Sequence, residues 1–157
     1  MKSDYLNIYN NLIKLTRNKL LFQELNSEDT FSDRITIFFF HFAFFLKVYK
    51  TNNPKSIMQE IYDFNFKQIE LSIREIGYGD QSINKKMKNY INVFYAIITK
   101  IDSWDELDNL QKNDFFTNFL NDNINSSFFA GYFDKFKEYL IKNTLNHFTK
   151  DIKVLKI

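Results

Sequence analysis

Histidine and cysteine most often supply nucleophiles, general bases and metal ligands, and this sequence offers few of them. Its 157 residues contain no Cys and two His, His41 and His147, which stand far apart. The absence of Cys excludes disulfides, thiolate catalysis and cysteine metal sites. No spacing predicts a triad or a histidine metal site. His41 lies in a Phe-rich segment and has two interpretations: a core-edge histidine with a hydrogen bond, or a haem or metal ligand.

Carboxylates are plentiful, but none stands in an apolar stretch that would tune it for acid catalysis. Glu75 comes nearest, and a salt bridge or a helix-capping role is its simpler interpretation. The sequence therefore carries no enzyme signature, and we expect neither catalysis nor a cofactor. An enzyme of an unrecognised kind remains an alternative.

The most unusual local pattern is REIGYGDQSINKKMK, residues 74–88. It holds two of the three glycines in the chain, Gly77 and Gly79. Gly77 has the position that follows a helix end, where a positive φ is needed and glycine adopts it without a Cβ penalty. Gly79 lets the chain bend again, and Asp80 or Ser82 then caps a new helix. The pattern predicts a helix–turn–helix corner, since no strand precedes it and no GK[ST] follows as in a phosphate loop.

Three lysines follow this corner at positions 85, 86 and 88. A basic run is usually a solvated helix face. Here, however, the lysines lie in the first turns of a helix, where the dipole disfavours cations, and they stand near Arg74 across the corner. This arrangement favours an acidic partner surface, which could be protein, RNA or anionic lipid. The predicted partner-binding residues, all from this segment, are Arg74, Glu75, Tyr78, Asp80, Lys85, Lys86 and Lys88.

The composition predicts that an all-α fold positions these residues. Apolar residues make up 45% and aromatic residues 18% of the chain, which is too hydrophobic for disorder. One Pro and three Gly are too few for the turns of a many-stranded β fold. We expect a single-domain bundle of about six to seven helices spanning residues 1–157. The net charge of +2 is too small to argue for nucleic acid.

Apolar periodicity places the helices. The predicted segments are 4–16, 31–50, 54–76, a helix from the cap at Asp80 or Ser82 to about Ile101, a short helix from Asp102 to Leu107, 113–120 and 130–149. Pro54 fits the first position of its helix. Ile76, Ile91 and Ile141 are assigned to buried stripes. The tail, 150–157, alternates Lys with apolar residues, and we expect it to fray or to lie on a partner.

The strongest apolar run is ITIFFFHFAFFL, residues 35–46. Its twelve residues fall short of the roughly 20 that a membrane-spanning helix needs. Its phenylalanines cover nearly every angle around a helix axis, and a helix that is apolar all round is buried all round. The run therefore predicts a central core helix, and any membrane contact is expected to be peripheral.

At residues 73–88 the chain resembles the ubiquinol–cytochrome c chaperone family, the assembly factors of complex III. Members of the family carry a Leu/Ile-Arg-Glu-x-Gly-x-Gly-Asp stretch followed by a basic helix, which corresponds here to Ile73, Arg74, Glu75, Gly77, Gly79, Asp80 and Lys85–Lys88. Looser similarities are Asp33-Arg34, Phe94-Tyr95 and the loop with Asn121 and Asn123. The resemblance extends over roughly 5–145, and the tail after about 148 has no counterpart.

The resemblance implies an all-α, non-enzymatic chaperone that binds newly made cytochrome b or its assembly intermediate. Mitochondrial members of the family sit near the ribosomal tunnel exit and act with a second small protein, so a ribosome and a second assembly factor are implied partners. Since the chain starts without a presequence, we expect a bacterial, alphaproteobacterial-type protein. It would be cytoplasmic and peripheral at the inner membrane.

Two other classes remain open from the residues themselves. The basic corner would also suit a peripheral RNA- or ribosome-binding module without a dedicated client. The excess of Phe and Tyr would suit a helical bundle that binds haem, quinone or lipid in an aromatic pocket.

Overall fold

A computed structural model describes residues 2–28 and 30–153, and in these ranges the chain is helical and without strands. The eight α-helices of this part are α1 (Lys2–Thr16), α2 (Lys19–Gln23), α3 (Phe31–Tyr49), α4 (Lys55–Glu75), α5 (Asp80–Asp102), α6 (Asn109–Phe119), α7 (Ser126–Lys142) and α8 (Leu145–Phe148), and one turn of 3-10 helix covers Trp104–Glu106. Six of the α-helices have at least seven residues. The prediction of an all-α bundle is confirmed.

Helix α3 forms the centre of the core. Every residue from 35 to 46 is buried, and the helix packs against α1, α5 and α7. Its rings meet aromatic rings on several sides: Phe39 lies 5.1 Å from Phe94 of α5, and Phe40 lies 5.2 Å from Phe116 of α6, between ring centroids. The prediction of a buried central helix is confirmed. No helix in the described ranges combines the length and apolar content that a membrane span requires.

The predicted helix over 130–149 is wrong in extent, because α7 already ends at Lys142 and the short α8 follows. Asn143 has extended backbone angles, with φ −120° and ψ 150°. Its side-chain amide donates to Tyr139 O at 2.8 Å, and the hydroxyl of Tyr49 donates to Leu140 O and Asn143 O at 3.0 Å each. These side chains satisfy carbonyls that a continuing helix would have used, so the helix breaks here.

Smaller differences concern helix starts and exposed apolar residues. Pro54 is the residue before α4 rather than its first helical residue. Ile76 and Ile141, which were assigned to buried stripes, are 51% and 63% exposed. Ile76 lies just past the end of α4, and Ile141 in the last turn of α7. Past the end of α4 the neighbouring helices no longer cover Ile76. Ile141 instead lies off the buried stripe of α7, because it is rotated by about 100° from Leu140, which is fully buried.

The polar side of α1 holds the C-terminal segment. The Asn11 amide donates to Phe148 O at 3.0 Å and to Lys150 O at 2.9 Å, and Lys14 pairs with Asp151 at 3.0 Å. The prediction that the tail frays or lies on a partner is therefore wrong for residues 150–153, which lie on α1. The rest of that prediction concerns 154–157, outside the described residues.

His41 is fully inside the core rather than at its edge. Its Nδ1 lies 2.9 Å from Ile37 O, and its Nε2 lies 2.8 Å from the hydroxyl of Tyr132 on α7. Because a carbonyl oxygen only accepts, Nδ1 carries the proton and donates to it, and Nε2 accepts from Tyr132. Both ring nitrogens are thus engaged, which favours the hydrogen-bonded core histidine over a haem or metal ligand.

Because His41 is buried, it should make the folding stability of the protein sensitive to acid. Desolvation in the core lowers the pKa of His41 from 6.5 to about 3, against a smaller opposing effect of the bond to Ile37. The unfolded chain therefore binds one more proton than the folded chain between these two values. Stability is fully present above pH 6.5 and falls as the pH drops toward 3. From pH 7.5 to 5.5 the loss from this residue should be about 1.4 kcal/mol.

Urea unfolding at pH 7.5, 6.5 and 5.5 measures this loss. The His41→Gln variant should be less stable at every pH, but its stability should change less between pH 7.5 and 5.5 than that of the wild type. A His147→Gln variant is the control, because it removes the other histidine, which is only partly buried. Equal dependence in the wild type and His41→Gln would contradict the assignment.

Candidate protein-docking site

The predicted corner lies between α4 and α5 and is built as the sequence indicates at Gly77. Gly77 has φ +99°, and its N–H donates to Arg74 O at 3.0 Å. A positive φ is costly for residues with a Cβ, so glycine terminates α4 at this point. A Cβ added to Gly77 would meet no atom within 4 Å, so the constraint comes from the backbone conformation and not from crowding.

The start of α5 differs from the prediction. Gly79 is the N-cap residue, with φ −72° and ψ 161°, and no side chain caps the helix. Neither Asp80 nor Ser82 is therefore the cap. Asp80 is instead the first helical residue, and its carboxylate accepts from Arg74 Nη1 at 3.0 Å. Asp80 thus uses its carboxylate for an ion pair with Arg74 across the corner and not for a helix cap. Local sequence cannot show this ion pair.

Arg74 joins the two helices rather than standing as a free cation. Besides Asp80 on α5, it contacts Glu70 on its own helix, with Nη2 3.2 Å from Oε1. The hydrogen bond from Arg74 lowers the pKa of Glu70, and the bond to Asp80 is the largest cause of a raised pKa at Arg74. Its charge is thus matched by two carboxylates, which suits a role in positioning the corner.

The three lysines differ in their contacts. The Nζ of Lys86 lies 4.6 Å from the ring centroid of Tyr78, a cation–π contact that ties the start of α5 to the corner. Lys85 and Lys88 are exposed, and neither forms an ion pair with any carboxylate in the described ranges. The structure therefore leaves two of the seven predicted partner-binding residues as unmatched cations.

Glu75, the remaining acidic residue of the predicted set, is exposed. Burial raises the pKa of Tyr9 on α1, and the charge of Glu75 contributes in the same direction as the smallest of the causes. Within the described residues it makes no ion pair and caps no helix. The expected salt bridge or capping bond of Glu75 is thus not present in this part of the chain.

Sequence reasoning missed the apolar part of this surface. Ile91 is 42% exposed, although it was assigned to the buried stripe of α5, and Tyr95 is 72% exposed. The stripe runs through Ile83, Phe94 and Ile101, and Ile91 is offset from its centre by about 80°, at about 100° per residue. The spacing of Lys88, Ile91 and Tyr95, which is i, i+3 and i+7, was the available signal.

We call Lys85, Lys88, Ile91 and Tyr95 the outer face of α5. The four residues span about 15 Å of helix at 1.5 Å per residue. Two ammonium groups without carboxylate partners stand beside two apolar side chains in water. Such a face is suited to a partner with acidic groups next to an apolar segment, because exposed aromatic and apolar side chains contribute most to docking and charges orient it.

The described residues form an all-α bundle that presents the outer face of α5 to solvent. The sequence profile of the ubiquinol–cytochrome C chaperone family matches residues 23–127. This match covers more than half of the chain, and the chain belongs to this family. Membership indicates a role in the assembly of ubiquinol–cytochrome c reductase, complex III. No curated protein and no solved structure matches the chain.

The matched residues include α3 to α6, the corner and the whole outer face of α5. The range is narrower than the resemblance predicted, which was 5–145. Helix α1 and most of α7 lie outside it, although both cover α3 in the structure. The corner and the outer face therefore fall in the part that family membership describes.

The two glycines of the corner give a stability prediction. Changing Gly77 to Ser should lower the free energy of unfolding by about 1 kcal/mol or more, because the residue keeps a positive φ. The same change at Gly79 should leave it unchanged or raise it by a few tenths, since φ is ordinary there and Ser is a good N-cap. Urea titration of both variants measures this. Equal effects at the two positions would contradict the different roles assigned to them.

Proposed function

We propose that this protein is an assembly chaperone of complex III that holds newly made cytochrome b, or an intermediate containing it, through the outer face of α5. The observation that carries the proposal is the pairing of unmatched lysines with exposed Ile91 and Tyr95 inside the family-matched region. Cytochrome b is a membrane protein of apolar helices, and an incomplete complex leaves some of their surface or connecting loops uncovered. A helix with a mixed apolar and basic face can cover such a segment and still dissociate.

The corner sets the geometry of this face. Because Arg74 joins Glu70 on α4 to Asp80 on α5, and Gly77 supplies the turn, the direction of α5 is fixed relative to α4. Arg74 and Asp80 therefore act as positioning residues, and Tyr78 positions Lys86. Lys85 and Lys88 meet acidic loops of the client or lipid headgroups at the membrane surface.

The remaining parts of the proposal come from the family resemblance. We propose that the chain acts as one domain, at the cytoplasmic face of a bacterial inner membrane and without catalysis. A ribosome near the emerging client and a second small assembly factor are further proposed partners.

Charge reversal tests the basic part of the face. Lys85→Glu with Lys88→Glu should reduce the amount of cytochrome b captured by a tagged copy about fivefold or more, which corresponds to about 1 kcal/mol of docking free energy. The measurement is crosslinking in native cells followed by quantitative mass spectrometry. Lys135→Glu with Lys142→Glu is the matched control, since it makes the same charge change on exposed positions of α7. A third variant adds Lys86→Glu to the first pair.

The outcomes separate the classes of function. Equal loss in both double variants would attribute capture to net charge and contradict the assigned face. Capture of ribosomal proteins without cytochrome b, together with steeply salt-dependent binding to bare RNA, would instead establish the RNA-binding alternative.

A photo-crosslinking amino acid tests the apolar part. Placed at position 95, it should form crosslinks to cytochrome b, because Tyr95 projects from the outer face of α5. The same amino acid at position 141 is the control, since Ile141 is 63% exposed on α7 and outside the family-matched residues. Crosslinks to cytochrome b from 141 but not from 95 would place the client on another surface.

A further inference from the structure

A cleft lies between α1, α2, α3 and α4, on residues that the proposed docking face does not use. Its volume is about 370 Å³, within the range of roughly 300–1,000 Å³ that ligand pockets occupy. Apolar side chains from all four helices line it, namely Ile13, Phe22, Ile35, Phe38 and Ile69. Since a water molecule occupies about 30 Å³, the volume suits a molecule of about 12 non-hydrogen atoms.

Two arginines, Arg17 and Arg34, also line the cleft. The chain contains 18 Lys and only 3 Arg, so two of its three arginines stand at one cavity. Arginine presents a planar fork of donors that matches a carboxylate or phosphate, whereas lysine is a point charge. A cation is common at the end of a helix, but α1 already has Lys14 in its last turn, so the helix dipole does not require Arg17.

Arg17 is exposed and forms no ion pair with a carboxylate in the described part of the chain. The hydroxyl side of Tyr9 lies close by: burial raises the pKa of Tyr9, while Ser72 and Arg17 both act to lower it. Glu75 acts on Tyr9 in the opposite sense and is the smallest of these effects. The cleft thus has an apolar interior and a polar end at which Arg17 is the unmatched cation.

We propose that this cleft binds a single-chain anionic amphiphile of about ten carbons, with its chain among the apolar side chains and its carboxylate or phosphate on Arg17. Hydrophobic burial holds the chain, and the charge-assisted bonds of the guanidinium select the anionic head. Tyr9, Ile13 and Arg17 lie outside the family-matched residues 23–127, whereas Ile35, Phe38 and Ile69 lie within them, and no residue of the cleft belongs to the outer face of α5.

Titration calorimetry of the full chain with decanoate and with decanol, which has the same chain without charge, tests the proposal. Decanoate should bind about tenfold or more tightly than decanol, the scale of one charge-assisted hydrogen bond. Arg17→Gln should remove this preference. Lys19→Gln is the matched control, because it removes a cation two residues away that does not line the cleft.

A second variant keeps the test independent of the arginine. Ser72→Phe should fill the cleft and abolish binding of both ligands, with a melting curve to show that the variant is folded. Equal affinity for decanoate and decanol, unchanged binding by Arg17→Gln, or no binding of either ligand by the wild type would overturn the proposal. Lys85→Glu with Lys88→Glu should bind decanoate normally, so failure of the docking proposal and failure of this one are distinguishable.

Vesicles of phosphatidylglycerol distinguish the source of the ligand. If they compete with decanoate after correction for its partition into the bilayer, one acyl chain and the head of a membrane lipid reach the cleft. If they do not compete while decanoate binds, the ligand is a free carboxylate. Both results support the site.

Discussion

Helix α3 is apolar on every side, and the rest of the structure depends on covering it. Twelve consecutive residues, 35–46, are buried, so no side of the helix faces water along that length. Covering a helix all round requires neighbours in every direction, and α1, α5 and α7 pack directly on it, while α4 and α6 contribute aromatic rings. The burial of His41 as a neutral ring, bonded to Tyr132, is a consequence of the same enclosure.

This enclosure decides which surfaces are left for binding. Helix α5 uses one stripe, Ile83, Phe94, Ile97 and Ile101, to cover α3, and its opposite side stays in water. Because α5 has 23 residues, the opposite side is long enough to present lysines near one end and Ile91 and Tyr95 further along. The chain turns from α4 into α5 at Gly77, and the exposed ion pairs of Arg74 span this corner. A structural requirement of the core thereby leaves a mixed basic and apolar face exposed.

The cleft beside α1 follows from the same packing at another edge. Helices α1 and α2 are shorter than α3 and α4. The space among these four helices is lined by apolar side chains and bordered by Arg17. The two surfaces differ in relation to the family: the α5 face is inside the matched residues, whereas Arg17 is outside them. The two surfaces share no residue, because the cleft is lined by residues of α1 to α4 and Arg17 while the docking face lies on α5, so charge changes at one should leave the other unaffected.

The sequence by itself determined what depends on local pattern and composition. The scarcity of Gly and Pro and the apolar periodicity predicted an all-α chain, twelve successive apolar-rich residues predicted the buried α3, and the place of Gly77 predicted its positive φ. These properties follow from one residue and its near neighbours. Only the tertiary structure decided properties that join distant residues. These are the hydrogen bond between His41 and Tyr132, the end of α7 at the hydrogen bonds of Tyr49 and Asn143, and the hydrogen bonds of Asn11 to the C-terminal segment. The exposure of a side chain is likewise decided by the tertiary structure. The period of a helix places Ile91 about 80° from the centre of the apolar stripe, but how wide a stripe the neighbouring helices cover is decided only by their packing.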